Sequence, residues 1–143
     1  MQQADDFLEE SHALYTLVEN LSERELAQAT AFKDWTFNDV IGHLHMWNQA
    51  ADLSLMDSQA FIDWFAGIQK HVSGGSLRHA EREWLKGLAG QNLLSAWRDG
   101  YQEMADHFSK ADPSARVKWA GPDMSVRSSV TARLMETWAH GQE

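Results

Sequence analysis

The run Thr131-Ala132-Arg133-Leu134-Met135-Glu136-Thr137-Trp138-Ala139-His140 places a carboxylate and an imidazole four residues apart. On a helix both project from one face and can reach a single ion. A third donor lies far upstream, in Asp34-Trp35-Thr36-Phe37-Asn38-Asp39-Val40-Ile41-Gly42-His43-Leu44, where His43 falls between Val40 and Trp47 on an apolar stripe. Two imidazoles and one carboxylate, His43, Glu136 and His140, leave a coordination position open, as expected of a metal that does chemistry. Each group also has a plainer reading. His43 alone reads as a core histidine held by a carbonyl or carboxylate, and Glu136 with His140 as a solvated pair that lends its helix slight support. Their coincidence in one chain is what points to a metal. His45 lies about 200° further round the same helix and is expected to point outward.

These donors need helices to hold them, and the composition supplies helices. The chain has 143 residues, the length of one ordinary domain (1–143) able to bury its own core. Only two prolines occur, Pro113 and Pro122, in one short stretch, and strand-like alternation is weak throughout. The fold class expected is all-α. With 21 acidic against 12 basic side chains the formal charge is −9, and no basic run tracks a phosphate backbone, so nucleic acid and anionic membrane are poor partners. Cysteine is absent, which removes disulfides, thiolate ligands and a cysteine nucleophile together, and any reactive thiol must come from outside. No leader pattern and no apolar run of about 20 residues is present, so a soluble, cytoplasmic protein is expected.

Along the chain, three-and-four spacing predicts a helix from about Asp5 to Asn20 with Phe7, Leu14, Leu17, Val18 and Leu21 inward. Ser22 and Glu25 form a capping box for a short connector. Thr36, with Asp39 three residues on, should cap a helix to about Met56, with Val40, Leu44, Trp47, Ala51 and Leu55 buried. A further helix is expected from Asp57 to Val72, then a Ser73-Gly74-Gly75-Ser76 loop. The Leu77 to Leu88 stretch reads as a charged helix with Trp84 and Leu85 inward and no chemistry. Asn92 is the expected cap of a helix reaching Lys110, on which Leu94, Trp97, Tyr101, Met104 and Phe108 make a core stripe. Residues 111–123 read as an extended segment across one end of the bundle.

Ser125 or Ser128 should open the last helix, with Val130, Leu134 and Trp138 as its apolar stripe. That stripe lies nearly opposite Glu136, and Ser129, Ala132 and Arg133 flank the ligand face. A metal there requires the helix to be covered on two sides. Arg133 reads as a surface arginine or as a contact for an anionic substrate. His12, His71, His79 and His107 are expected at the surface.

The motifs Asp34-Trp35-Thr36, Gly42-His43-Leu44, Trp119-Ala120-Gly121-Pro122-Asp123-Met124-Ser125 and Thr131 to Gln142 resemble the DinB-like metal-binding domains. The nearer resemblance is to the N-terminal domain of the mycothiol-dependent maleylpyruvate isomerases, and within that group to a bacterial metal-binding set. The resemblance implies an up-down-down-up four-helix bundle with extra short helices and zinc at one end. It also implies that His43, Glu136 and His140 hold that metal. Longer members continue past the equivalent of Gln142 into a C-terminal domain that helps bind substrate. That domain is absent from these 143 residues, and a second copy, making a homodimer, is expected to supply the missing surface.

The function expected is that of a divalent-metal protein, zinc first with Ni2+ or Fe2+ as alternatives. It would be a transferase or isomerase using a low-molecular-weight thiol such as mycothiol or bacillithiol on a small-molecule substrate. The alternatives are a metal-dependent hydrolase of a small molecule and a non-enzymatic ligand-binding or dimerising module with a vestigial site.

Overall fold

The computed structural model of the protein describes residues 1–30 and 35–142. Asp34, part of the motif at the start of the second bundle helix, lies outside the described residues. The helices are α1 (Gln2–Val18), α2 (Glu23–Leu26), α3 (Phe37–Met56), α4 (Ser58–Ser73), α5 (Leu77–Leu85), α6 (Gly90–Ser109) and α7 (Val126–Gly141). A two-residue antiparallel pair, β1 (Arg116–Val117) and β2 (Met124–Ser125), pins the segment before α7. The fold is all-α and DinB-like. None of the described helices is long and apolar enough to cross a membrane.

Cross-helix contacts fix the topology. His12 meets Tyr101, Tyr15 meets Trp97, and Leu21 accepts from Gln91, so α1 and α6 are antiparallel. Asn38 bonds Gly90, Gly100 faces His45 and Gln49, and Asp52 bonds His107, so α3 and α6 run parallel. His43 lies by Glu136 and Asn48 by Arg133, so α7 runs against α3. The order is up, down, down, up, and the crossover between the two parallel helices is made by α4 and α5.

Local chemistry accounts for most helix starts. Ser22 and Thr36 both make complete capping boxes, with Glu25 and Asp39. Asp57, Ser76 and Ser125 cap α4, α5 and α7 with single side-chain bonds. The start of α6 differs from the expected Asn92 cap. The helix begins at Gly90, whose φ of 59° suits glycine. Its first amides are taken by side chains from other helices: Asn38 accepts from Gly90 N–H at 2.8 Å and Glu23 from Gln91 N–H at 3.0 Å. A cap supplied by tertiary structure leaves no local trace in the sequence.

The core is built around the α6 stripe, where Leu94, Trp97, Tyr101, Met104 and Phe108 are all buried as expected. Burying one such side chain contributes roughly 1.5–3 kcal/mol. Two expected core residues are instead exposed: Leu17 at 71% and Trp138 at 50%. Trp138 explains how α7 works. Its buried residues are Val126, Ser129, Val130, Arg133 and Thr137, a mixed polar face at helical spacing, whereas Met135 and Trp138 face solvent. The helix therefore turns its ligand face inward beside Val130, which is buried as expected; of the stripe Val130, Leu134 and Trp138, Leu134 is half-buried against the core and Trp138 turns to solvent. Residues 111–125 pack by the C-terminal half of α3, with Ser54 donating to the Lys118 carbonyl and Trp119 stacked on Phe61.

Candidate metal centre

Thr36 starts α3 so that His43 arrives two turns in, and Ser125 starts α7 so that Glu136 and His140 occupy its last turns. Because α3 and α7 are antiparallel, these two stretches meet. His43 Nε2 lies 3.5 Å from Glu136 Oε2, and His140 Nε2 lies 3.2 Å from the same oxygen. One donor atom from each of the three residues lies within 4.8 Å of the others. Ligands held at about 2.0–2.2 Å from a zinc-sized ion stand roughly 3–3.5 Å apart, so the set can close on an ion with small side-chain movements. The donors also suit the ion in kind, two imidazoles and one anion with nothing else needed to hold it. On the residues present, a divalent metal fits.

The imidazole of His43 is held from behind by a group that the sequence reading assigned no chemistry. Its Nδ1 donates to Glu81 Oε2 at 2.6 Å, and Trp47 Nε1 donates to the same oxygen at 2.9 Å. Glu81, only 4% exposed, sits on α5, the helix taken as a solvated face. With Nδ1 engaged, Nε2 is the nitrogen presented to Glu136 and His140, the carboxylate–histidine arrangement that orients metal ligands. Gly42 leaves room for the Leu85 side chain of α5, since a Cβ there would come 2.6 Å from Leu85 Cδ1. The signal was in the sequence: Glu81 stands within the spacing Leu77, Ala80, Trp84, Leu85, a carboxylate on an apolar stripe. Replacing Glu81 with glutamine should weaken metal binding about tenfold to a hundredfold without changing the saturating stoichiometry. Competition against a chromophoric chelator would show this, and an unaltered affinity would mean the Nδ1 bond does not serve the ligand.

Trp35 forms one wall. Its ring is parallel to that of His140 within 6° and meets His43 edge-on, with centroids 6.2 and 5.5 Å away. The side chains of His43 and His140 are 12% and 11% exposed but that of Glu136 is 44% exposed, so the site opens to solvent on the glutamate side. Beside it, a cavity of about 200 Å³ is lined by Leu14, Val18, Phe37, Ile41 and His140.

Hydrogen bonds from His140 and then His43, with the nearby Arg133 cation, hold the Glu136 carboxyl far below the usual carboxylate range despite partial burial. Burial opposes protonation of His43, but its bonds to Glu136 and Glu81 outweigh that and raise its pKa. Arg133, read as a surface residue or substrate contact, is 4% exposed, and its Nε donates to Asn48 Oδ1 at 3.2 Å. Burial lowers its pKa to about 10, against the raising effect of Glu136 and Glu81, so it remains a cation at neutral pH.

His45, expected to face outward, is 7% exposed, because α3 is covered on several sides and Trp84 of α5 closes over the ring. It contributes no donor to the triad. His12, His71 and His79 are exposed as expected, but His107 is half-buried and bonded to Asp52.

With this geometry in view, comparison with known proteins places the chain. Residues 7–143 match the profile of the mycothiol maleylpyruvate isomerase N-terminal domain. The chain belongs to that family. Two uncharacterized proteins of Mycobacterium tuberculosis, from strains CDC 1551 / Oshkosh and ATCC 25618 / H37Rv, are each similar to it at 32% identity over 136 residues. Those matches cover 95% of this chain and 52% of theirs, so the chain spans about half the length of the curated relatives it matches. The mycothiol maleylpyruvate isomerase N-terminal domain thus accounts for nearly all of the present sequence, including α3, α5 and α7, which carry the triad and its support.

Proposed function

We propose that this member of the mycothiol maleylpyruvate isomerase N-terminal domain family binds a divalent metal, zinc by preference, through His43, Glu136 and His140. We propose further that it serves a thiol-dependent transfer or isomerisation of a small molecule. The observation that carries the reading is the convergence of two Nε2 atoms on one carboxylate, with Glu81 fixing the tautomer of His43. A bound divalent ion would supply Lewis acidity, making a coordinating thiol or water anionic at neutral pH.

The chain's own groups have separable tasks. Glu136, kept ionised by its neighbours, offsets the charge of the ion. Trp35 excludes water from the histidine side, and the exposed glutamate side admits the reactants. The apolar cavity beside His140 suits the hydrocarbon part of a small substrate. Arg133, beneath Glu136, adds a fixed positive charge that favours anionic groups above it. Since the chain has no cysteine, the sulfur must come from a free thiol, whose pKa near 8.5 leaves it only a few per cent ionised at neutral pH. Such thiols belong to the cytoplasm, which is where we place the protein. The family's description names mycothiol, which supports this choice.

Titrating cobalt-substituted protein with mycothiol, bacillithiol or glutathione should produce a sulfur-to-metal charge-transfer band and release protons. If none of the three produces either signal, the thiol reading fails, and hydrolysis by the same centre becomes the reading to test.

We also propose a homodimer, supported by the exposed Leu17 of α1 and Met135 and Trp138 of the adjacent α7. Sedimentation equilibrium at about tens of micromolar should show it, and a monomer at that concentration would contradict it.

A further inference from the structure

The triad has a counterpart on the other side of α3. Glu103 and His107 on α6 repeat the Glu-x-x-x-His spacing of Glu136 and His140 on α7, and in each case α3 supplies the third group, Asp52 here and His43 there. One donor atom from each of Asp52, Glu103 and His107 lies within 4.8 Å of the others, close enough to converge on one ion. His107 Nδ1 and Asp52 Oδ1 are 2.8 Å apart, close to the roughly 3 Å edge of a coordination shell with bonds of about 2.1 Å.

The two triads cannot share an ion. Nine residues separate His43 from Asp52, which is about 13 Å along α3 and about 180° around it. Nor is the second group only a patch of surface acids. It includes an imidazole already oriented by its bond to Asp52, both of those side chains are largely covered, and only Glu103 is exposed. The parallel packing of α3 and α6 holds Asp52 and His107 in register, because Asn38 with Gly90 and His45 with Gly100 fix the same two helices upstream.

We infer that Asp52, Glu103 and His107 form a second divalent-cation site, distinct from the His43, Glu136 and His140 centre and weaker than it. The oxygen-rich donor set suits Mn2+ as well as Zn2+, whereas two imidazoles at the first centre favour zinc. His107 would bind through Nδ1, giving up its hydrogen bond to Asp52, and the exposed Glu103 would swing in to complete a set with open positions for water. A chain of formal charge −9 raises the local concentration of cations around such a site.

The test is a Mn2+ titration followed by electron paramagnetic resonance of the unbound aquo ion, on wild type, His140→Ala, Glu103→Gln and the double variant. Expected are two binding classes in wild type, only the weaker in His140→Ala, and none in the double variant. Glu103 is exposed, so Glu103→Gln should leave the far-ultraviolet circular dichroism and the thermal midpoint unchanged, and a lost class can be assigned to the site. If His140→Ala takes up no Mn2+ below about 1 mM, the weak end of protein sites for hard cations, the second site does not exist. The same follows if Glu103→Gln and wild type bind identically. If instead wild type and His140→Ala both show one class, which Glu103→Gln removes, the second site stands and the first centre does not take this ion.

Discussion

Glu136→Gln should cost the protein more metal affinity than the tenfold to hundredfold typical of losing an outer partner. Glutamine preserves the size of the side chain and its bonds to the histidines, so the loss reports charge. It removes the one anion that offsets the ion at this centre, while the Arg133 cation beneath it remains. Isothermal titration with Zn2+ would measure the loss, and His45→Ala, which removes a histidine only two residues from His43, should leave affinity unchanged. Binding in wild type should also weaken as pH falls, because a proton competes for Nε2 of His43. Glu136 and Glu81 raise the pKa of that imidazole, so the competition begins at a higher pH than for an ordinary histidine. Equal affinities for wild type and Glu136→Gln would show that the carboxylate is not a ligand.

His45 carries the other large effect, on stability. Its ring is 7% exposed, its Nδ1 has no hydrogen-bond partner among the described residues, and burial lowers its pKa to about 4 from 6.5. The folded state holds it neutral, whereas the unfolded chain takes up a proton as pH falls through 6.5. Stability present above that pH is therefore lost between about 6.5 and 4, by about 3 kcal/mol in total and about 2 kcal/mol by pH 5. In urea unfolding of the metal-free protein, wild type should lose about 2 kcal/mol more than His45→Leu between pH 7.5 and pH 5. The comparison isolates His45, because His43 and His107, whose raised pKa values act in the opposite sense, are common to both proteins. Identical pH dependence in the two would mean that the buried imidazole protonates without cost.

What the sequence made legible depended on whether the cause was local. The capping boxes at Ser22 and Thr36 and the α6 stripe from Leu94 to Phe108 are local patterns, and all appear in the structure. The triad was legible in outline because Glu136 and His140 are four residues apart and His43 lies on an apolar stripe. What was missed is tertiary. The start of α6 is capped by Asn38 and Glu23 from other helices, and His45 is buried because α5 covers a side of α3 that spacing assigned to solvent.

The packing of α7 is the instructive case. Hydrophobic periodicity assumes that a helix buries its most apolar face, but α7 buries Ser129, Arg133 and Thr137 beside Val126 and Val130 and leaves Trp138 half in solvent. Internal bonds offset part of the cost, Arg133 to Asn48 and Thr137 to the Arg133 carbonyl, while Arg133 Nη2 and Asn48 Nδ2 have no hydrogen-bond partner among the described residues. A polar face turned inward is what brings Glu136 and His140 to His43. Glu81 and the Glu103 and His107 pair were within reach of the same rules, because a carboxylate on an apolar stripe and a second Glu-x-x-x-His spacing are both visible in the chain.

The most direct test of the centre is element analysis of protein purified without chelator and passed through gel filtration, so that only the tightly held ion is counted. The proposal predicts about one divalent ion per chain in wild type, and almost none in folded His43→Ala and His140→Ala. Comparable, sub-stoichiometric metal in all three proteins would contradict it.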